Sequence, residues 1–291
     1  MTQRKTWLEV ALNGSWTRRY QPLIPVSPAE IIAEGIAAAR AGAAIVHLHA
    51  YDAASGRQRD DPEIYAAIIA GIRAEVDAIV YPTIPHIEPG PDAAERTRLR
   101  YAAIDALAER RLLEWTVVDP GSVNLAHYDA IATGREGVVY VNSERDIRAG
   151  LDLAQRYRIH PTYAIYEPGF LRLGAALHRR YPEAPQPIYR LMFSEQLAFG
   201  LPPERFALAA YRELLRREAP EAPWMVAGLG VDVMPLIADV VAAGGHVRVG
   251  LEDAPLGNAI GNGEWVRRAA GAIRAAGGTL ATAAEVRAAL G

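Results

Sequence analysis

Short runs of apolar and β-branched residues alternate along the chain with longer Ala-rich stretches, in which apolar residues recur at every third or fourth position. This alternation predicts βα units. Eight such runs occur, at 7–12, 44–49, 78–83, 114–118, 161–166, 188–193, 224–228 and 246–250. Because eight βα units close into a barrel of about 250 residues, the pattern predicts one α/β domain over 1–291, a (β/α)8 or TIM barrel.

Helix boundaries in the sequence agree with this alternation. Ser27-Pro28-Ala29-Glu30 has a Ser N-cap, a Pro in the first turn and a Glu three residues after the cap, so a helix is predicted over 28–41, ending at Gly42. Similar boundaries occur at Asp61-Pro62, Pro202-Pro203 and Asp232. We predict an additional strand over 138–142 and a proline-bearing loop over 179–186.

Composition narrows the possible chemistry. The net charge is −3 and charged residues make up 22%, so nothing electrostatic favours nucleic acid or an anionic membrane as a partner. The chain has no cysteine, which excludes disulfides, thiolate ligands and a cysteine nucleophile and leaves His, Asp and Glu as metal ligands. No run approaches 18 apolar residues and no signal-peptide pattern is present, so we expect a cytoplasmic protein.

His47 and His49 are the first candidates for metal binding. They are two residues apart on a predicted strand, so both side chains leave the same face about 6.6 Å apart along the chain, and one metal ion can bridge them. The alternative is that one histidine caps the barrel and the other packs in its core. Their position at the C-terminal end of a strand, where barrel enzymes carry their active sites, favours the metal site.

A second cluster follows the last predicted strand and contains Arg248, Glu252 and Asp253. A closed barrel returns its eighth strand beside the first and close to the second, so Glu252 is expected to meet the two histidines. Two imidazoles and a carboxylate leave positions open for substrate, as catalytic zinc requires. Alternatively, Arg248 and Asp253 form only a structural ion pair.

Two further loops carry polar candidates. The run 117–124, VVDPGSVN, is typical of a turn, although Ser122 and Asn124 are expected near the barrel mouth. Thr83 and His86 follow the third strand, where Thr83 is a candidate hydrogen-bond donor to a substrate oxygen and His86 a candidate acid or base. Taken alone, the run 117–124 favours a plain turn, whereas Thr83 and His86 are equally compatible with solvated loop positions.

Three segments together resemble the β-keto acid cleavage enzymes, a family that includes 3-keto-5-aminohexanoate cleavage enzyme. They are IVHLHAYDAASGRQRDDPEIY, VVDPGSVN and GGHVRVGLEDAPLGNAIGNGEWV, in this order over most of the chain. The resemblance implies a zinc-dependent (β/α)8 barrel that is usually a homotetramer. It also implies a reaction in which a β-keto acid and acetyl-CoA give acetoacetate and a new CoA thioester.

The resemblance also implies roles for individual residues. Its zinc ligands correspond to His47, His49 and Glu252, and its Arg-Asp pair to Arg248 and Asp253. The metal then acts mainly as a Lewis acid on the keto group, and Asp253, held by Arg248, is the base or orients it. Thr83 falls where the family commonly has a substrate-binding serine.

Several positions depart from the family pattern. Residues 83–86, TIPH, replace a Ser-Thr-Gly-Gly loop, and Val117 replaces a hydroxyl-bearing residue. Trp16 and Ala164 stand where acidic residues are expected; the loss at Ala164 argues against an amino-keto acid, whose amine would lack a counter-charge. Trp16 and His86 then indicate a different or smaller ligand. A metal-dependent hydrolase or aldolase on the same barrel, or a non-catalytic metal-bound barrel that binds a ligand, remains as an alternative.

Overall fold

The computed structural model describes residues 5–52, 54–85, 87 and 92–291. Within these ranges the strands are β1 (Leu8–Ala11), β2 (Ile45–Leu48), β3 (Ile79–Pro82), β4 (Trp115–Val117), β5 (Val123–Leu125), β6 (Val138–Tyr140), β7 (His160–Ile165), β8 (Ile188–Phe193), β9 (Trp224–Gly228) and β10 (His246–Val249). The helices are α1 (Pro28–Ala41), α2 (Pro62–Arg73), α3 (Ala93–Glu109), α4 (Tyr128–Ala132), α5 (Glu144–Tyr157), α6 (Pro168–His178), α7 (Arg205–Glu218), α8 (Ile237–Ala242), α9 (Asn262–Ala275) and α10 (Ala283–Leu290).

Eight of the strands form one sheet in the order β3-β2-β1-β10-β9-β8-β7-β4. The alternation of its parallel strands with helices is that of a (β/α)8 barrel, which confirms the predicted fold class. All eight apolar runs of the sequence correspond to these strands. None of the described helices is long and apolar enough to cross a membrane.

The first of two compact units comprises Met1–Thr83 and Met225–Gly291. Within it β1 pairs with β10 on one side and with β2 on the other, and β2 pairs with β3. This register places Glu9 beside Arg248 and His47 beside Tyr81. Polar residues of four different chain segments are thereby brought to one part of the sheet.

The helices of this unit begin where their capping residues require. Ser27 and Glu30 form a reciprocal capping box at the start of α1, and Gly42 ends that helix with φ +125°. Asp61 caps α2 by accepting hydrogen bonds from two backbone N–H groups of its first turn. These boundaries confirm the predicted helix over 28–41 and the predicted start at 61–62.

Strand β10 ends at a turn that only glycine accommodates. Gly250 has φ +137°, and a Cβ at this position would lie 2.2 Å from the carbonyl oxygen of Ala11 on β1. The close approach of these two backbones allows the chain to turn directly into Leu251, Glu252 and Asp253. The amide of Glu252 then donates a hydrogen bond to the same Ala11 oxygen at 3.2 Å.

The second unit comprises Ile84–Trp224. It contributes β4, β7 and β8 and a hairpin in which β5 and β6 pair antiparallel. The predicted additional strand is therefore present as β6. The predicted loop over 179–186 contains no helix or strand.

Candidate metal centre

Three side chains of the first unit converge at the C-terminal ends of β2 and β10. His47 lies on β2, His49 directly follows that strand, and Glu252 lies in the turn after β10. The Nε2 atoms of both histidines are 3.5 Å from Oε2 of Glu252. The side chains are only 3%, 9% and 15% exposed, respectively. Two imidazoles and a carboxylate thus face one another in a largely buried position.

The spacing of these donors fits one metal ion. A tetrahedral ion with bonds of about 2.1 Å holds its ligand atoms roughly 3.4 Å apart, close to the two measured separations of 3.5 Å. His49 Nε2 and Glu252 Oε2 are buried and have no hydrogen-bond partner in the part of the chain that the structure describes. Among those same residues, His47, His49 and Glu252 are the one group of three whose donor atoms lie within 4.8 Å of one another.

The backbone at His49 is fixed from the loop after β1. The side-chain oxygen of Asn13 accepts a hydrogen bond from the His49 amide at 2.9 Å, and its amide group donates to the His49 carbonyl at 3.0 Å. The same amide group also donates to the carbonyl of Pro25. Asn13 is fully buried, so this position of His49 does not depend on solvent.

Glu252 is positioned by hydrogen bonds to the backbone carbonyls of residues 251 and 252 and by close packing of its side chain against Gly14. The indole N–H of Trp16 donates to the Glu252 carbonyl at 2.8 Å, and Gln21 donates to the carbonyl of Leu251 at 3.0 Å. A Cβ on Gly14, which has φ +64°, would lie 2.7 Å from Cγ of Glu252. Trp16, predicted to contact substrate, therefore contacts the backbone of a candidate ligand.

A buried arginine connects Glu252 to two further carboxylates. Arg248 donates to both oxygens of Asp253, through Nε at 2.9 Å and Nη2 at 2.8 Å. Its Nη2 is also 2.8 Å from Glu252 Oε1, and its Nη1 is 3.4 Å from Glu9 Oε1. The hydroxyl of Tyr81 donates to the same Glu9 oxygen at 2.6 Å. One guanidinium thus fixes the orientation of Asp253 and of the candidate ligand together.

Burial and charge act in opposite directions on these groups. Burial disfavours the ionised form of Glu252, but Arg248 and the two histidines outweigh it and hold the pKa of Glu252 well below its usual range. For Asp253, burial and the neighbouring carboxylates raise the pKa to about 6 despite the Arg248 guanidinium. Glu252 is therefore ionised at neutral pH and able to act as a metal ligand, while Asp253 holds its proton to a higher pH than an ordinary aspartate.

Comparison with known proteins agrees with this arrangement. A sequence profile of the beta-keto acid cleavage enzyme family matches residues 5–291. The chain belongs to this family. A similar protein is the 3,5-dioxohexanoate:acetyl-CoA acetone transferase of Paraburkholderia graminis, 27% identical over 87% of this chain and 83% of its own length. The 3-oxoadipate:acetyl-CoA acetyltransferase of Cupriavidus necator is 27% identical over 98% and 94%, respectively.

A solved structure shares the fold of this family member. ObcA in a binary complex with oxaloacetate superposes with a TM-score of 0.69 at 20% identity, covering 92% of this chain and 67% of ObcA. At 20% sequence identity, this similarity shows a shared fold and nothing about function.

Of the remaining predicted site residues, Thr83 lies in the first unit and Ser122 and Asn124 lie in the second. Thr83 directly follows β3, is 8% exposed and donates its amide to the carbonyl of Leu48 at 3.0 Å. His86 lies outside the described residues. In the second unit, the Ser122 hydroxyl accepts a hydrogen bond from the Asn142 amide and donates to the Asn142 carbonyl, and Asn124 lies exposed on β5. Their substrate contacts stay predictions.

The second unit also contains a buried acid within the segment that the sequence pattern predicted as a turn. Asp119 is 5% exposed, accepts a hydrogen bond from the hydroxyl of Tyr140 at 2.7 Å and accepts another from the amide of Ala164 at 3.1 Å. Burial raises the pKa of Tyr140 well above its usual range, with Asp119 adding to the effect. Asp119 thereby links β7 to the β5–β6 hairpin.

Sequence reasoning missed Glu9, Asn13 and Tyr81 in the first unit. Glu9 had a usable signal, because a charged residue inside the apolar run LEVALN is rarely buried without a partner. Asn13 and Tyr81 had none, since an amide in a loop and a tyrosine on a strand are ordinary at such positions.

Proposed function

We propose that this protein is a zinc-dependent β-keto acid cleavage enzyme. In the proposed reaction the bond between C2 and C3 of a β-keto acid breaks, and the carboxymethyl part joins the acetyl group of acetyl-CoA to give acetoacetate. The remaining acyl group leaves as a new CoA thioester. The observation that carries the proposal is the convergence of His47, His49 and Glu252 beside the Arg248–Asp253 pair.

His47, His49 and Glu252 are assigned as the metal ligands. Two imidazole nitrogens and one carboxylate oxygen are a ligand set of catalytic zinc sites, which keep a position open for substrate. When bound there, zinc supplies a Lewis acid that polarises the substrate carbonyl. The lowered pKa of Glu252 supports its role as an anionic ligand at neutral pH.

Asp253 is assigned as the base, and Arg248 as the residue that orients it. The carbon between the keto and carboxyl groups of a β-keto acid must lose a proton before it can attack a thioester, and a base works best with a pKa near the operating pH. The pKa of Asp253, raised to about 6, supports this assignment. Thr83 is proposed as a substrate hydrogen-bond donor, and Trp16, His86, Ser122 and Asn124 as substrate-binding residues.

The two named relatives share acetyl-CoA and differ in the keto acid, which is 3,5-dioxohexanoate in one name and 3-oxoadipate in the other. Acetyl-CoA is therefore the proposed common substrate. Ala164 stands where the family resemblance expects an acidic residue, and its side chain carries no charge. We accordingly expect a keto acid without a cationic amine, because its counter-charge would be missing.

Zinc content and product formation test the proposal together. Purified protein is expected to hold one zinc per chain and to form acetoacetate from a panel of β-keto acids only when acetyl-CoA is present. Asp253→Asn is expected to keep zinc and lose turnover, while His49→Ala is expected to fold and lose zinc. Stoichiometric zinc in His49→Ala would refute the ligand assignment, and consumption of a keto acid without acetyl-CoA would favour a hydrolase or aldolase.

We also expect a cytoplasmic homo-oligomer, a tetramer by the family resemblance. Exposed apolar side chains on α4 and β6 support association, with Tyr128, Ile131, Val138 and Val139 each more than half exposed. Light scattering coupled to gel filtration measures the oligomeric state, and a monomer at micromolar concentration would contradict the expectation.

A further inference from the structure

A chain of hydrogen bonds extends from His49 away from the other candidate ligands. Nδ1 of His49 lies 2.8 Å from Oε1 of Gln58. The amide nitrogen of Gln58 donates to both oxygens of Asp60, at 3.0 and 2.9 Å. The hydroxyl of Tyr65 on α2 donates to Asp60 at 2.6 Å.

The carboxylate of Asp60 determines which group donates and which accepts in each of these hydrogen bonds. A carboxylate accepts hydrogen bonds and donates none, so the NH₂ group of Gln58 must face Asp60 and its carbonyl oxygen must face His49. That oxygen can only accept, so Nδ1 of His49 must carry the proton. The lone pair is then on Nε2, the atom that lies 3.5 Å from Glu252.

The backbone fixes Gln58 in this position. The chain folds back after β2, where Tyr51 and Gln58 form an antiparallel bridge. The amide of Arg59 donates to the carbonyl of Ala50 at 2.9 Å. Tyr65, which ends this series of hydrogen bonds, lies on α2, and its side chain is fully buried.

We propose that Gln58, oriented by Asp60, is a positioning residue that holds His49 in the tautomer with a free lone pair on Nε2, so that this atom can bind the metal. The inference rests on the proposed metal site and extends it beyond the three ligands. Partners of this kind keep the ring of a metal-bound histidine in a fixed orientation. Their replacement typically weakens metal binding about 10- to 100-fold.

The decisive variants first remove the hydrogen bond to Nδ1 of His49 and then restore it, in the same direction, with different chemical groups. Gln58→Leu removes the acceptor for Nδ1. A double variant, Gln58→Glu with Asp60→Asn, exchanges the amide and the carboxylate between the two positions while the total charge stays unchanged. The carboxylate introduced by Gln58→Glu would accept from His49, and the amide introduced by Asp60→Asn would donate to that carboxylate. Arg57→Leu is the matched control, since Arg57 lies in the same loop and is exposed.

The measurement is the zinc dissociation constant by competition with a chromophoric chelator at one pH, together with the visible absorption spectrum of the cobalt-substituted proteins. Gln58→Leu is expected to weaken zinc binding about 10- to 100-fold and to alter the cobalt spectrum. The double variant is expected to restore both to near wild type, and Arg57→Leu to change neither. Circular dichroism checks folding, and Gln58→Met replaces the leucine variant if that variant unfolds.

The possible failures are distinguishable. Unchanged zinc affinity in Gln58→Leu would overturn the inference. Weak binding in both Gln58→Leu and the folded double variant would also overturn it, because the restored direction would then have no effect. Wild-type protein that binds neither zinc nor cobalt would refute the proposed metal site itself.

Discussion

Replacing Gly250 with alanine tests how the end of β10 supports the candidate metal centre. Gly250 has φ +137°, and the added methyl group would lie 2.2 Å from the carbonyl oxygen and 2.8 Å from the amide nitrogen of Ala11. Both contacts are with backbone, so no side-chain rotation relieves them. The end of β10 must therefore move away from β1, and Glu252 two residues later must move with it.

Two effects set the size of the loss. Holding a non-glycine residue in such a backbone conformation costs about 1–3 kcal/mol, and forcing extra volume into a closely packed position costs a further 1–3 kcal/mol or so. Because the two act together, we expect Gly250→Ala to lower the free energy of unfolding by about 2–6 kcal/mol. Zinc affinity is expected to fall as well, since Glu252 no longer meets the two histidines.

Two other glycines separate the contributions. Gly257 has φ +72° with nothing within 4 Å of an added Cβ, so Gly257→Ala should cost only the conformational part, about 1–2 kcal/mol. Gly271 lies inside α9 with open space around it, so Gly271→Ala should stabilise the protein by about 0.5–1 kcal/mol.

The assay is urea unfolding of chelator-treated protein followed by circular dichroism, with zinc affinity measured separately on folded protein. The order of stability is expected to be Gly271→Ala, wild type, Gly257→Ala and then Gly250→Ala. If Gly250→Ala were no less stable than Gly257→Ala, or bound zinc as tightly as wild type, the proposed coupling between this turn and Glu252 would be wrong.

Three further outcomes are expected. Gly14→Ala places a methyl group 2.7 Å from Cγ of Glu252, so zinc affinity measured by chelator competition should fall at least about tenfold, and an unchanged affinity would contradict the packing. Zinc at 100 times its dissociation constant should stabilise the protein by about 2.7 kcal/mol over the chelated form, as measured by urea unfolding; equal stability would count against a native-state site. Hydrogen bonds from Ser27 and Arg18 lower the pKa of Glu30 to about 2, so its contribution is present above pH 4.5 and lost as the pH falls towards 2. Because this side chain is 46% exposed, Glu30→Gln should remove only about 0.5 kcal/mol of that pH dependence, and an acid-unfolding curve parallel to wild type would contradict it.

The position of the candidate site followed from two features of the sequence. The spacing of His47 and His49 put both side chains on one face of a strand. Barrel closure then brought Glu252, some 200 residues later, next to them, because the first strand lies between the second and the last. These expectations depend on periodicity and topology, which the hydrophobic pattern reveals.

The surroundings of the site could not be predicted in the same way. The pairing of Glu9 with Arg248 depends on the register of β1 against β10, and parallel strands buried on both faces carry no alternation from which to read register. The contact between Gln58 and His49 depends on how a short loop folds back on the strand end. Such loops are set by local hydrogen bonds that composition does not specify.

The charges around Arg248 bear on which ion would suit the candidate metal centre. Glu9, Glu252 and Asp253 surround the single guanidinium of Arg248, so with neutral histidines the cluster carries a formal charge of −2. A doubly charged ion brings this buried region to neutrality, whereas a monovalent ion leaves an excess negative charge and a trivalent ion creates an excess positive one. Since uncompensated charge is costly away from water, a metal ion at the candidate centre would be selected by its valence as well as by its preferred ligand atoms.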